Sequence, residues 1–417
     1  RQRAGPRVSE PVLLERARRA IAECRRIAAM TEEPGRTTRR FLTPPVHHVH
    51  ELLRRRMESL GMTVTLDAAG NLRGLTQPSK AHAKRLVLGS HIDTVPNAGA
   101  FDGILGVALA LELVELAQNL KLPMELIAFS DEEGVRYAPF LGSRAVAGRF
   151  DAPTLLSLRD REGVTMEQAI RAFGLDPGRI GDAAIGDRAL GFFEIHIEQG
   201  PVLEAEGLSV AAVTSIAGQS RFAVKFVGHA NHAGTTPMHL RRDALAGAAE
   251  WIVDVEAYAK QTEGLVATVG KLGLEPNAGN VIPGSVTLGF EVRHVNDPVR
   301  KEAAEALLER AKAIAVRRHL ALDSESRMDQ PAVPMDEQLT ALLVEAIEAL
   351  GLPPRRMPSG AGHDAMVMAQ RVPAAMLFLR SLGGISHHPD ENVREEDVET
   401  ALRAGLKFVE RLAAEIR

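Results

Sequence analysis

Apolar residues recur at helical spacing between positions 11 and 29, at Leu13, Leu14, Ala17, Ile21 and Ile27, and predict an amphipathic helix. A second helix is predicted over 46–60, stopped by Gly61, followed by two short extended pieces, 62–67 and 71–75, around a turn at Gly70. Residues 85–89 are an apolar strand that runs into Ser90-His91-Ile92-Asp93-Thr94. A helix is predicted over 103–120, and then a strand over 123–129 that runs into Ser130-Asp131-Glu132-Glu133-Gly134. Residues 150–188 read as short helices and loops. The strand 192–198 ends at Gln199-Gly200-Pro201, and alternation puts Glu194, His196 and Glu198 on one face of it. Strands alternating with helices indicate an α/β fold with buried, largely parallel strands.

The pattern changes near Val213. A mixed-polarity strand (221–227), an amphipathic helix (240–260), two strands (265–269 and 285–293) and a long helix (299–319) follow. This β-α-β-β-α order predicts a small ferredoxin-like α+β unit. The earlier style then resumes with a helix (336–350), the loop 359–364, a strand (374–379), the loop 383–389 and a last helix (395–416). The expected organisation is one discontinuous domain, 1–212 with 328–417, carrying an inserted domain, 213–327.

Composition narrows the classes. The 417 residues allow two to four domains, and 45% hydrophobic content is enough to bury sizeable cores. Fifty Lys and Arg against 54 Asp and Glu give a net charge of -4, mixed along the chain, without the basic excess of a nucleic-acid binder. Cys24 is the only cysteine, which excludes a disulfide framework and a thiolate zinc site; it is expected as a small core residue. No apolar run reaches the roughly 18–20 residues of a membrane span, since Glu112 and Glu115 interrupt the most hydrophobic helix. The first ten residues are basic and polar without an apolar signal core, and the chain starts at Arg1 rather than Met, as a trimmed or tagged one would. A reducing, cytoplasmic setting with no membrane partner is expected.

Residues that can bind metal gather where predicted strands end, the place at which open α/β sheets hold ligands. His91 and Asp93 follow one strand, Glu132 and Glu133 another, His196 lies within a third and His387 follows the last, while Asp102 opens a helix. Singly, each has a plainer reading: a solvated loop residue, a helix cap for Asp102, first-turn carboxylates for Glu132 and Glu133. Four strand ends carrying such groups in one predicted sheet favour imidazole–carboxylate ligation. The set suits zinc, manganese, cobalt or nickel, and holds two ions if one carboxylate bridges.

His91-Ile92-Asp93-Thr94-Val95-Pro96 with Phe101-Asp102-Gly103, and Ser130-Asp131-Glu132-Glu133-Gly134, resemble the signatures of the co-catalytic di-metal aminopeptidase and aminoacylase superfamily. The finer resemblance is to its branch of N-carbamoyl-L-amino-acid hydrolases, β-ureidopropionases and allantoate amidohydrolases. It rests on Glu194-Ile195-His196-Ile197-Glu198-Gln199-Gly200-Pro201, Asn231-His232-Ala233-Gly234-Thr235-Thr236-Pro237-Met238, Gly360-Ala361-Gly362-His363-Asp364-Ala365 and Gly384-Ile385-Ser386-His387-His388-Pro389. The resemblance implies two divalent transition-metal ions per subunit, held by His91, Asp102, Glu133, His196 and His387 with Asp102 bridging. It implies Glu132 as general base and Asp93 as the carboxylate that orients His91. His196 stands where peptidase relatives usually have Asp. The register of Ser386-His387-His388-Pro389 favours His387 over His388 as ligand. The inserted domain is implied to form a homodimer and to close over the active site. His232, Asn280 and Arg293 match substrate contacts, and Gln199, Gln219, Gly362 and His363 are further candidates. The plainer readings here are a polar turn for His229 and His232 and a strand-end charge for Arg293. His47, His48 and His50 match nothing in the family and are expected on a solvated helix face.

The implied substrate is a small ureido acid, allantoate or an N-carbamoyl-L-amino acid, cleaved to an amine, carbon dioxide and ammonia. Two other readings stand beside it. One is a dipeptidase or aminoacylase with the same metals, which sits more naturally with Asp at position 196. The other is a silent homologue serving as a binding protein, which predicts a lost ligand or base; none is lost.

Overall fold

The computed structural model describes residues 10–77 and 84–415. The expectations for residues 1–9, and for the end of the last helix at 416, lie outside them. The chain forms two compact units, one from the segment up to Thr214 and again from Pro334, the other from Ser215–Val333.

Six strands come first: β1 (Thr63–Leu66), β2 (Leu72–Leu75), β3 (Arg85–His91), β4 (Met124–Phe129), β5 (Ala189–Ile197) and β6 (Val210–Ile216). Four more, β7 (Gly218–Val227), β8 (Val266–Glu275), β9 (Ser285–His294) and β10 (Ala321–Gln330), build the smaller unit, and β11 (Val333–Pro334), β12 (Arg356–Ser359) and β13 (Ala374–Leu379) complete the larger one. The large sheet runs β1-β2-β4-β3-β5-β13-β6-β11, with β12 beside β6. Its centre, β4-β3-β5-β13, is parallel, and β2 and β6 flank it antiparallel. β4 and β13 are buried at every residue, as parallel strands covered on both faces must be.

The helix Ile104–Leu116 is buried from Ile104 to Val114, so its apolar residues show no stripe; a helix apolar all round belongs inside. Glu112 is its one charge in the fully buried stretch. It accepts from Arg16 Nη1 at 3.0 Å and Arg19 Nε at 2.7 Å, both on the helix Glu10–Ala28, which places that helix against it. Among the described residues no helix is long and apolar enough to cross a membrane.

In the smaller unit the sheet order is β10-β7-β9-β8, antiparallel throughout, with the helix Ala244–Gln261 between β7 and β8 and the helix Asp297–Arg317 between β9 and β10. This is the β-α-β-β-α-β ferredoxin-like arrangement. Its core centres on Trp251, whose indole N–H donates to Leu307 O at 2.8 Å, packed with Phe226 and Phe290.

Several local expectations need correction. β10 is missing from the sequence pattern because it is a sheet edge with mostly exposed residues and no apolar alternation. β6 (Val210–Ile216) is also missing from the sequence pattern. The helix expected from 240 starts at Ala244, because the Asp243 side chain accepts from the N–H groups of Leu245 and Ala246 and caps it there. His47 and His48 are exposed, but His50 is buried edge-on against Phe173. On the helix Ala244–Gln261, Leu245, Ala248 and Ile252 pack into the unit's own core, and Val253 is 66% exposed.

Candidate metal centre

Strand order decides which side chains meet. β3 ends at His91 beside Phe129, the last residue of β4, and β5 places His196 beside Phe378 of β13. The carboxyl ends of four adjacent parallel strands therefore deliver His91, the Asp131–Glu133 turn, His196 and the loop holding His387 to one place. Asp102 is not a helix cap: Gly103 takes that position, without a side-chain cap, and the Asp102 carboxylate turns to the histidines.

Asp102 is the hub. Its Oδ1 lies 3.4 Å from His91 Nε2 and 3.2 Å from His196 Nε2, and its Oδ2 lies 3.2 Å from His387 Nε2. His387 Nε2 is also 3.3 Å from Glu133 Oε1. Of four groups with ligand-atom spacing among the described residues, two, His91–Asp102–His196 and Asp102–Glu133–His387, share Asp102; the others are His91–Glu132–Glu133 and Glu194–His196–His363. His388 belongs to none of them; it is exposed and faces Asp390.

The residues fit divalent ions on a structural test. His91 Nδ1 faces Asp93 O at 3.0 Å and His196 Nδ1 faces Ile197 O at 2.8 Å, so each ring donates from Nδ1 and turns a lone pair on Nε2 inward. The two Nε2 atoms are 3.5 Å apart, and the Asp102 Oδ1 between them is buried without a hydrogen-bond partner. Three converging lone pairs demand a cation. The same field acts on protons: burial opposes charging His91, but Asp102 and Asp93 hold its imidazole well above the usual range, and Asp102 and Glu133 push His387 up to about 10. Burial, reinforced by Glu133, holds the Glu132 carboxyl well above the carboxylate range.

Asp93 ties these parts together. Its Oδ1 accepts from Glu132 N–H at 2.9 Å and its Oδ2 from Glu133 N–H at 3.1 Å, while Oδ1 also stands 3.3 Å from His91 Nδ1. Gln199 donates to Asp102 Oδ2 at 3.0 Å, and Gln199 and His387 both hold left-handed backbone, φ 59° and 55°, a strain that clusters at functional sites. A Cβ at Gly362 would lie 3.8 Å from Glu132 Oε1, so that glycine borders the proposed base. His363 is buried behind the centre, its ring edge-on to His196 at 4.4 Å and bonded to Ser359 Oγ at 2.9 Å.

The sequence pattern missed Glu391. Its Oε1 accepts from the N–H groups of Phe101 and Asp102 at 2.9 and 3.0 Å, and its Oε2 from Ser386 Oγ at 3.0 Å, so one buried carboxylate joins the Asp102 loop to the His387 loop.

Residues 87–411 match the model of peptidase family M20/M25/M40. The chain belongs to that family. This M20 chain is 39% identical over 369 residues to an N-carbamoyl-L-amino acid amidohydrolase of Geobacillus stearothermophilus, covering 87% of the chain and 90% of the relative. It is 36% identical over 436 residues to an allantoate deiminase of Arabidopsis thaliana, covering 94% and 81%. Among solved structures, an amidase of the hydantoinase/carbamoylase family from Burkholderia multivorans superposes with a TM-score of 0.89 at 34% identity, covering 95% of this chain and 98% of that one.

The smaller unit of the M20 chain holds the remaining candidates. His232 is exposed, and its Nδ1 accepts from Gly234 N–H at 3.0 Å, which leaves Nε2 as the donor. Asn280 is its neighbour, since His232 bridges Val281 and Ala233 N–H donates to Asn280 O at 2.9 Å. Arg293 stands across the ladder from Gln219, and its Nε donates to Glu291 Oε1 at 2.6 Å. Gln219 donates to Gln330 at 3.0 Å.

One glycine gives a direct test of the centre. Gly103 has φ 70°, and a Cβ there would lie 2.4–2.5 Å from three atoms of the His91 ring. Gly103→Ala should therefore displace the imidazole and lower bound metal, measured by elemental analysis after gentle purification, while the far-ultraviolet circular dichroism stays near wild type.

Proposed function

We propose that the protein is a metal-dependent amidohydrolase that cleaves the C–N bond of a ureido group in a small carboxylate substrate, allantoate or an N-carbamoyl-L-amino acid. The observation that carries this reading is the pair of ligand groups sharing Asp102, with His196 as the third member of one and the buried Glu132 carboxyl beside them. The relatives named above act, by their names, on those two substrates, and peptidases resembling this chain usually place Asp where His196 stands.

His91, Asp102 and His196 would hold one ion, and Asp102, Glu133 and His387 a second; zinc or manganese would suit these donors best, and cobalt or nickel would also fit. Ions bound there would supply Lewis-acid chemistry, polarising a carbonyl and lowering the pKa of a water. Glu132 accepts the water proton and returns it to the leaving nitrogen. His232 donates from Nε2–H to the developing oxyanion, a contribution often worth about 3 kcal/mol. Arg293 pairs with the substrate carboxylate in fork geometry, assisted by Asn280. Gln199, Gly362 and His363 are proposed to shape the metal site, and Gln219 to assist Arg293, which it faces across the ladder. The lone cysteine, Cys24, buried in the first helix, suits a reducing, cytoplasmic setting.

The test is ammonia release from a panel of ureido acids, with dipeptides as the control panel. Hydrolysis of dipeptides without ammonia release from any ureido acid would overturn the reading. We also propose a homodimer through the inserted unit. Its edge strand β8 leaves Val266 59% and Leu272 49% exposed, an unpaired edge of the kind that symmetric pairing covers. Light scattering should give twice the chain mass at micromolar concentration, and a monomer would count against the proposal.

A further inference from the structure

Arg39 is 1% exposed, yet among the described residues its guanidinium donates only to main-chain carbonyls. Nε reaches Ile92 O at 2.6 Å, and Nη1 reaches Ile27 O and Met30 O, both at 3.0 Å. Ile27 lies in the last turn of the helix Glu10–Ala28 and Met30 two residues past its end, where carbonyls run short of helical partners and the helix dipole is negative. That end is a natural seat for a cation. The other contacts of Arg39 run to the segment between His91 and the rest of the centre. Thr94 N–H donates to Arg39 O at 2.9 Å, and Arg39 N–H to Thr94 Oγ1 at 2.9 Å.

Residues 92–94 are therefore tied on both sides of Asp93, by Ile92 O and by Thr94, to one buried side chain and its own peptide. Asp93 in turn faces His91 Nδ1 and accepts the N–H groups of Glu132 and Glu133. Arg39 lies outside residues 87–411, the stretch that the family model matches.

We propose that Arg39 is a positioning residue for the metal centre: it anchors the 92–94 segment so that one Asp93 carboxylate orients His91 and the Glu132–Glu133 turn together. The inference rests on the metal-centre reading above. Burial pushes the guanidinium down to about 10, while the Asp93 charge pulls it back up. A neutral residue of similar length would keep the packing but give up the bonds to Ile92 O and Met30 O and leave Ile27 O with only the Met30 N–H.

The experiment titrates the purified, metal-stripped full chain with cobalt(II), followed by visible absorption, in wild type, Arg39→Met and Arg39→Lys. Leu343→Ala, at a fully buried position of the helix Glu337–Glu348, serves as the control for general destabilisation. Arg39→Met should weaken one of the two cobalt equivalents about 10–100-fold, the range seen when partners of metal ligands are removed. It should also lower kcat with KM little changed, and Arg39→Lys should restore part of both. Leu343→Ala should lower Tm and leave both cobalt affinities alone. If Arg39→Met does not fold, Arg39→Lys and Thr94→Val carry the test and must loosen the same equivalent. Variants that lose Tm but bind both equivalents like wild type would show Arg39 to be ordinary scaffold and leave the metal-centre reading intact. Wild type that binds no cobalt would overturn that reading, and the inference with it.

Discussion

Glu132→Gln should lower kcat by about 10²–10⁴-fold, the usual worth of a general base, while the fold and the metal content stay as in wild type. The geometry separates this residue from its neighbour. Glu133 Oε1 stands 3.3 Å from His387 Nε2 and shares a ligand group with Asp102 and His387, whereas the buried Glu132 carboxyl has ligand spacing to His91 and Glu133 but is in neither group that contains Asp102. Both backbone N–H groups are pinned by Asp93, so a change of side chain at either position leaves the turn in place. Glu133→Gln should therefore act through metal: occupancy falls, and added metal in excess restores part of the rate. Excess metal should do nothing for Glu132→Gln. The decisive measurement is kcat against added metal for the two variants side by side. A Glu132→Gln protein with near-normal kcat at full occupancy would remove the residue from the mechanism.

That both carboxylates stand at a strand end was legible in the chain because strand ends announce themselves, while their separate roles come from the family resemblance. β3, β4 and β13 are apolar runs that stop at polar clusters, and only a parallel sheet brings such ends together. What supports the ligands was not legible. Glu391 acts on the main-chain N–H groups of Phe101 and Asp102, and Arg39 on main-chain carbonyls; contacts to backbone across tens or hundreds of residues leave no pattern in side-chain type. A buried arginine also reads as a surface residue by composition. The strand β10 was hidden for a different reason: it is an edge strand with mostly exposed residues, so no apolar alternation is required of it. His50 shows the reverse error, a polar residue whose burial against Phe173 is set by the helix face and not by its own chemistry.

Arg293→Ala should depress kcat/KM for N-carbamoyl acids or allantoate by a factor of roughly 30 to several thousand. Cutting one side of a buried charge-assisted pair costs about 2–5 kcal/mol, and each 1.4 kcal/mol is about tenfold. The fold supports the role locally. Arg293 lies near the end of β9, between Gln219 of β7 and Val266 of β8, on a regular antiparallel ladder that fixes its Cα on both sides. Its Nε donates to Glu291, two residues away on the same strand, which holds the guanidinium in one orientation. A fork held in this way loses little freedom on meeting a carboxylate. Arg293→Lys should restore only part of the loss, because a point charge cannot reproduce two parallel hydrogen bonds. Metal content should not change, since Arg293 is in neither ligand group. The informative control is the substrate amide. Wild type should already handle it poorly, and the mutation should cost it little, because the interaction removed is one the amide never made. Equal losses for acid and amide would assign Arg293 to the ladder's structure, through Glu291 and its partner Arg221, and would take from the ureido-acid reading its main support outside the metal centre.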